Sequence, residues 1–257
     1  MAAPTPSSPT GPKRFIPLEN NPATMTTLLH TLGLSPALAF HDVYSLTDPD
    51  LLAFVPRPAH ALLLVFPVSK TYESFRHSED AEKKEYDGKG EGEEVVWYKQ
   101  TIGNACGLIG LLHAVSNGDA RDFIGNGSDL DTFVKDAVPL GASERAKLVE
   151  NSDVLEKAHR DAAITGDTAA PGADEDVDLH YVCFVKSSGK LWEMDGRRKG
   201  PLERGSLGDG EDVLSEKALD LGVRPFLKRE EEAGEGDVRF SLICLAENLE
   251  ADMMIRS

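Results

Sequence analysis

Two periods organise the apolar residues of this chain. Met25, Leu28, Leu29 and Leu32 recur at helical spacing after Asn21, a helix cap, and Pro22, a favoured first helical residue. Gly33 stops that helix. Leu108, Leu111, Leu112 and Val115 fall at i, i+3, i+4 and i+7, so a second helix buries one stripe. Thr47-Asp-Pro-Asp opens a short helix carrying Leu51, Leu52, Phe54 and Val55. Ser128, in the turn Asn126-Gly-Ser-Asp, caps another through Phe133 and Val134. Ser143 caps a long amphipathic helix over 144–164 with Leu148 and Leu155 inward, and a further helix surrounds Val213–Leu221. The other period belongs to strands. Ala61–Val68 is apolar throughout and of strand length, which predicts the central strand, buried on both faces. Phe40–Tyr44, Val95–Lys99 and Arg239–Leu245 are shorter strand candidates. Leu179–Asp195 holds two runs of strand formers around Ser187-Ser-Gly-Lys190, which predicts a hairpin.

The polar stretches fill the gaps. Residues 77–94 are charged, contain glycines and show no periodicity, so they read as a mobile surface loop; 228–237 reads as a charged turn. Thr165–Asp178 is a long loop with a single apolar β-branched residue, and such a loop inside a domain is usually functional or disordered. Residues 1–12, rich in Ala, Pro, Ser and Thr, read as a disordered leader, with neither the charged start nor the apolar core of a signal peptide. Residues 251–257 read as a tail. With no internal repeat, 13–250 is expected to form one α/β or α+β domain.

Composition narrows the function. A net charge of −17 argues against nucleic acid or an anionic membrane surface as partner, since both demand a basic face. No apolar run approaches the roughly 20 residues of a membrane span. Three widely spaced cysteines offer neither a disulfide framework nor metal-ligand spacing, so no metal or cofactor is expected. The expectation is a reduced, soluble, monomeric cytoplasmic protein, with the nucleus as a second location.

The candidate chemistry lies at Gln100-Thr-Ile-Gly-Asn-Ala-Cys106. Asn104 as N-cap would place Cys106 in the first helical turn, where free N–H groups and the positive dipole end favour a thiolate. Gly103 and Gly107 permit close approach of backbone or substrate. Gln100, six residues upstream, offers a neutral amide donor of the kind an oxyanion hole requires. A free cysteine is as often a small buried hydrophobe, and this stretch alone leaves the two readings even. His180 and Asp195 sit near the open end of the hairpin. An even-numbered loop sets them on one face, directly opposite or one diagonal apart, about 5–8 Å between Cβ atoms; an odd loop or a bulge breaks that relation. Together the three residue types make a Cys-His-Asp triad: thiolate, proton carrier and orienting carboxylate. His41, His60, His77, His113 and His159 are less suited. His113 lies two turns along the same helix from Cys106, about 10 Å by rise. Cys183 and Cys244 fall in apolar strand patterns as core thiols, and the glycines match no dinucleotide fingerprint.

Four stretches carry a resemblance: Arg14–Pro22 (RFIPLENNP), Val55–Pro67 (VPRPAHALLLVFP), Lys99–Ala114 (KQTIGNACGLIGLLHA) and Asp178–Pro201 (DLHYVCFVKSSGKLWEMDGRRKGP). They resemble the short, single-domain ubiquitin carboxyl-terminal hydrolases of the papain-like cysteine protease clan. The likeness runs from about Lys13 to Ala246 and includes the steps from Gln100 to Cys106 and from His180 to Asp195. It implies an α+β fold with an antiparallel-rich central sheet flanked by helices and a knotted backbone. It implies Cys106 as nucleophile, His180 as general base and acid, Asp195 as its orienter and Gln100 as oxyanion donor. It also implies an active-site crossover loop at about 158–178. The expected activity is hydrolysis after the terminal glycine of ubiquitin, releasing small adducts or short extensions. Alternatives are a hydrolase preferring a ubiquitin-like modifier, or a non-catalytic ubiquitin-binding protein. Two acidic segments, 77–94 and 228–237, depart from the family pattern. The chain ends soon after Ala246, which leaves no expectation of the C-terminal extension by which longer relatives dock on large complexes.

Overall fold

Ala61–Pro67 (β2) is buried along its whole length, and its alternate side chains feed two separate cores. Ala61, Leu63 and Val65 join one, while Leu62, Leu64 and Phe66 join the other. A strand with no polar face requires cover on both sides, and it has it. The computed structural model describes residues 13–166, 172, 175, 178–233 and 239–251. Beside β2 lie Leu38–Asp42 (β1), Leu179–Ser187 (β3), Lys190–Met194 (β4), Leu202–Ser206 (β5) and Ser241–Glu247 (β6). The sheet order is β1-β6-β2-β3-β4-β5, with every pairing antiparallel. The fold is therefore α+β, with the expected antiparallel sheet between helices.

One face carries Pro22–Leu32 (α1), Cys106–Ser116 (α4), Asp129–Ala137 (α5), Ala142–Glu150 (α6) and Asp153–Ala163 (α7). The other carries Lys70–Asp80 (α3), Glu216–Leu221 (α8) and Val223–Ala233 (α9), through Tyr72, Ala218, Leu219, Val223 and Phe226. Pro49–Leu52 (α2), capped by Asp48, buries none of its residues. Among the described residues no helix is long and apolar enough to cross a membrane. α1 starts and stops as its sequence predicts: Asn21 accepts from Thr24 N, and Gly33 adopts φ 113°.

Several boundaries differ from the sequence reading, each for a physical reason. The strand expected at Phe40–Tyr44 lies two residues earlier, Tyr44 being 69% exposed. Val95–Lys99 is no strand. Side chains supply the bonds a ladder would give: Asn117 pairs both backbone groups of Val96, and His113 Nε2 accepts from Tyr98 N at 2.9 Å. The helix expected over 144–164 is two helices, because Ser152 turns out of the first and caps the second through Leu155 N. Gly141, not Ser143, caps α6, with Glu144 accepting from its N–H. The charged turn expected at 228–237 continues α9 to Ala233; 234–238 lie outside the described residues. The reading of 77–94 as a surface loop holds for 81–92, which carry no helix or strand and are mostly exposed, but not for the ends of the segment. Its first residues complete α3, Asp80 is buried against Arg198, and the Glu93 carboxylate is buried against Arg145. The expected leader, 1–12, lies outside the described residues, as does the expected tail beyond Ala251.

Candidate active site

The β3–β4 hairpin turns on two residues, Ser188 and Gly189, with φ of 52° and 71°. Two positive φ values make the turn whose twist suits a tight hairpin, and they fix an even loop. The ladder ends at Cys183 opposite Met194. Extending that register sets Asp195 opposite Val182, one diagonal from His180. The side chains meet: His180 Nε2 donates to Asp195 Oδ1 at 2.8 Å, with 3% and 0% of the side chains exposed. Arg197 N also donates to Oδ1, at 2.9 Å, and the Tyr72 hydroxyl donates to Oδ2. The carbonyl of Asp195 accepts from Trp97 Nε1 at 3.2 Å.

Cys106 is the first residue of α4, and its side chain is in hydrogen-bond contact with His180. With Nε2 bonded to Asp195, Nδ1 is the ring nitrogen left for the sulfur. Asn104 is not the cap. Ala105 occupies that position with no side-chain bond to the helix, and Asn104 takes φ 60°. Its Nδ2 donates instead to the carbonyl of Glu175, 3.2 Å away, in the stretch before His180. Gly107 lets the N-terminal segment close on α4, for a Cβ there would meet Leu18 at 3.1 Å. Gly103 exchanges backbone bonds with Lys13 and Phe15 in the same segment.

Gln100 is held from its backbone: its N–H donates to the carbonyl of Gly196 at 2.9 Å. Gly196 must be glycine, since a Cβ would lie 2.9 Å from Ile109 Cγ2 and 3.0 Å from Gln100 Cβ. The Gln100 amide donates one hydrogen to the carbonyl of Ile102 at 3.2 Å. An amide carries two, so one donor stays available.

Electrostatics follow from burial and pairing. Burial alone would lower the His180 pKa, but Asp195 and Cys106 outweigh it and raise it to about 9. Burial likewise opposes the Asp195 charge, yet His180, Tyr72 and the Arg197 N–H hold its carboxyl well below the usual range. Cys183 and Cys244 are fully buried, and burial pushes both thiols up. At His113 and His159 burial outweighs the opposing pull of Asp195 and Glu156 and lowers them to about 3 and about 4.

A family model described as ubiquitin carboxyl-terminal hydrolase, family 1, matches residues 15–224. The chain belongs to that family. Ubiquitin carboxyl-terminal hydrolase 3 of Arabidopsis thaliana is 40% identical over 243 residues, covering 94% of this chain and 98% of the relative. The hydrolase YUH1 of Saccharomyces cerevisiae is 35% identical over 245 residues, 93% of this chain and 98% of its own. Among solved structures, the catalytic domain of Trichinella spiralis UCH37, bound to ubiquitin vinyl methyl ester, superposes with a TM-score of 0.69. At 21% identity, covering 91% of this chain and 95% of that one, it shows the shared fold.

The hydrolase-family fold thus brings together Cys106, His180 and Asp195, with Gln100 tied to the residue after Asp195. Of the expected crossover, 158–163 belong to α7, and from 167 to 177 only Gly172 and Glu175 are described. Tyr72 escaped the sequence reading. The signal was there in Ser69, three residues upstream, which caps α3 through Tyr72 N, but the surrounding charges hid it.

Proposed function

We propose that this chain is a thiol-dependent hydrolase that cleaves the bond after the C-terminal glycine of ubiquitin, releasing small adducts and short peptide extensions. The observation that carries the reading is the buried His180–Asp195 pair with the Cys106 sulfur against its ring, at the head of a helix. The Cys106 thiolate attacks the glycine carbonyl carbon, and the carbonyl oxygen takes up the negative charge. The free hydrogen of the Gln100 amide donates to that oxygen. Backbone N–H groups of the first turn of α4 add to it, because no side chain caps them. The His180 imidazolium gives its proton to the departing amine or alcohol as the bond breaks, leaving a thioester on Cys106. His180 then takes a proton from water, which attacks the thioester and frees ubiquitin and the thiol. Asp195 keeps Nε2 protonated and the ring oriented throughout.

Ubiquitin is the inferred substrate because relatives over most of this chain are named for it and the solved neighbour is bound to a ubiquitin derivative. Free thiols at Cys106, Cys183 and Cys244 suit a reducing compartment, and the cytoplasm is the proposed location. The decisive experiment is hydrolysis of a ubiquitin–fluorophore conjugate beside a ubiquitin-like conjugate. Cys106→Ala should abolish turnover while keeping ubiquitin binding. Full activity in that variant, or preference for the ubiquitin-like conjugate, overturns the assignment.

A further inference from the structure

The Asp195 carboxylate has two oxygens, and only one serves His180. Oδ1 accepts from His180 Nε2 and from Arg197 N. Oδ2 accepts the Tyr72 hydroxyl. Tyr72 has no exposed surface. Its ring sits edge-on to Phe66, with centroids 4.7 Å apart, and 5.7 Å from Phe226. The two rings pack against it from the α3 side of the sheet. A buried tyrosine hydroxyl needs a partner, and any carbonyl would satisfy it. Here the partner is a charge, which makes the bond both stronger and more directional.

The rest of α3 is fastened to the segment that begins at Asp195. Ser69 caps the helix through Tyr72 N at 2.8 Å and donates its own hydroxyl to Glu230 of α9. Glu73 bridges Arg197 at 2.7 Å and Arg76 at 2.6 Å, while Arg76 donates to the Arg197 carbonyl at 3.2 Å. Asp80 accepts from Arg198 at 3.0 Å. Helix and segment are set against each other at four residues, and Tyr72 is where that docking reaches the carboxylate.

His180 alternates along β3 with Val182 and Phe184, which face the α3 side of the sheet, whereas Cys106 packs with the core of the other side. The constellation therefore spans the end of the sheet, and among the described residues the Oδ2 bond comes from Tyr72, on the α3 side. We propose that Tyr72 is a positioning residue for hydrolysis: its hydroxyl fixes the carboxylate plane of Asp195, so that Oδ1 faces His180 and the ring faces Cys106. The inference rests on the roles assigned above to Cys106, His180 and Asp195. The torsion that turns a carboxylate is broad, so a carboxylate held by one oxygen swings easily. A misplacement of about 1 Å at a reacting group can cost about 100-fold in rate.

Tyr72→Phe keeps the ring and removes one oxygen. Its kcat on a ubiquitin–fluorophore conjugate should fall about 5- to 30-fold, the range of one lost hydrogen bond, with KM within about twofold. In an Asp195→Ala background the same substitution should cost less than about twofold, because its target is gone. A general loss of structure lowers both backgrounds by one factor, and that result overturns the proposal. So does an unchanged kcat, or a change confined to KM. If Tyr72→Phe melts below assay temperature, Ser69→Ala takes its place: it loosens the start of α3 and must lower kcat at constant KM, and an unchanged kcat there also overturns the proposal. Wild-type cleavage abolished by Cys106→Ala, beside an unaffected Tyr72→Phe, overturns the role of Tyr72 alone. No cleavage by the wild type overturns the functional reading beneath it.

Discussion

The helix that bears Cys106 and the segment from Lys70 to Glu94 flank the same site, but they are held by opposite chemistry. α4 buries Leu108, Leu111, Leu112 and Val115 with no exposed surface, against β2 and β3. Dispersion and loss of water contact secure it. Lys70–Glu94 has few large apolar side chains, and its anchors are Tyr72, Asp80 and Glu93. Arg198, 1% exposed, gathers Glu79, Asp80 and Glu193, while the fully buried Arg145 binds Glu93 and the carbonyls of Ala137 and Val138. Apolar burial writes a period into the sequence. Ion-pair burial writes none, because each charge answers to a partner far along the chain.

Glu93→Ala tests that contrast hardest. It strands the Arg145 charge with carbonyl partners alone, and breaking a buried pair from one side costs about 3–5 kcal/mol. Urea denaturation should place the variant in the same range as a core deletion such as Leu111→Ala, about 2–5 kcal/mol. Glu93→Ala with Arg145→Met should be less damaging than Glu93→Ala alone, since no unpaired charge is left behind. If Glu93→Ala is neutral, the segment is the mobile loop its composition suggests and the comparison collapses.

Gln100 joins the segment after Asp195 to the loop that leads into α4, its N–H on the Gly196 carbonyl and its amide on the Ile102 carbonyl. Losing one oxyanion donor typically costs about 100- to 1,000-fold in turnover. Gln100→Ala should lower kcat by that order with little change in KM, measured on the same conjugate. A change in KM alone would make it a substrate contact.

What could be read from sequence follows the same division. β2, α1 and the hairpin were legible because their apolar spacing, caps and turn residues are local. The meeting of His180 with Asp195 needed only an even loop, and Ser188-Gly189 supplied it. α3 was not legible, although Ser69 caps it, because its buried face is built from Tyr72 and Asp80 rather than a leucine stripe. Val95–Lys99 looked like a strand for a related reason. Its run of four buried apolar residues is strand-like in sequence, but its hydrogen bonds go to the Asn117 and His113 side chains, which no pattern within the segment announces. Asn104 was misplaced by one residue because a left-handed asparagine and an N-cap asparagine look alike in sequence.

The pH dependence of stability probes the pair that joins the two regions. His180 is raised from 6.5 to about 9, so the stability it lends is complete below pH 6.5 and is lost as pH rises through about 9. Asp195 is lowered from 3.8, so its share is present above that value and is lost as pH falls below it. The pair contributes most between about pH 4 and 6.5. The melting-temperature gap between wild type and Asp195→Asn should therefore be widest near pH 6 and narrow steadily toward pH 9. A gap that stays constant over this range would remove the charged pair from the account. Turnover should also fall on the alkaline side near pH 9, as His180 loses the proton it gives to the leaving group.

The smallest expected effect is the one that shows charge alone decides nothing. Lys157 and Asp161 form an i,i+4 pair on α7 at 2.7 Å, with 70% and 51% of their side chains exposed. The distance is no longer than those of the three pairs Arg198 makes, 2.8, 3.0 and 3.4 Å, but water surrounds both partners and salt screens them. Lys157→Ala exchanges a weak, mobile contact for a residue of higher helix propensity, and the two changes oppose each other. The melting temperature should stay where it was, in low salt and in 1 M salt alike. Glu93→Ala, by contrast, should stay destabilised at both salt concentrations, because ions do not enter the site where Arg145 is buried. If the Lys157 variant falls as far as the Glu93 variant, burial is not what separates the two kinds of ion pair.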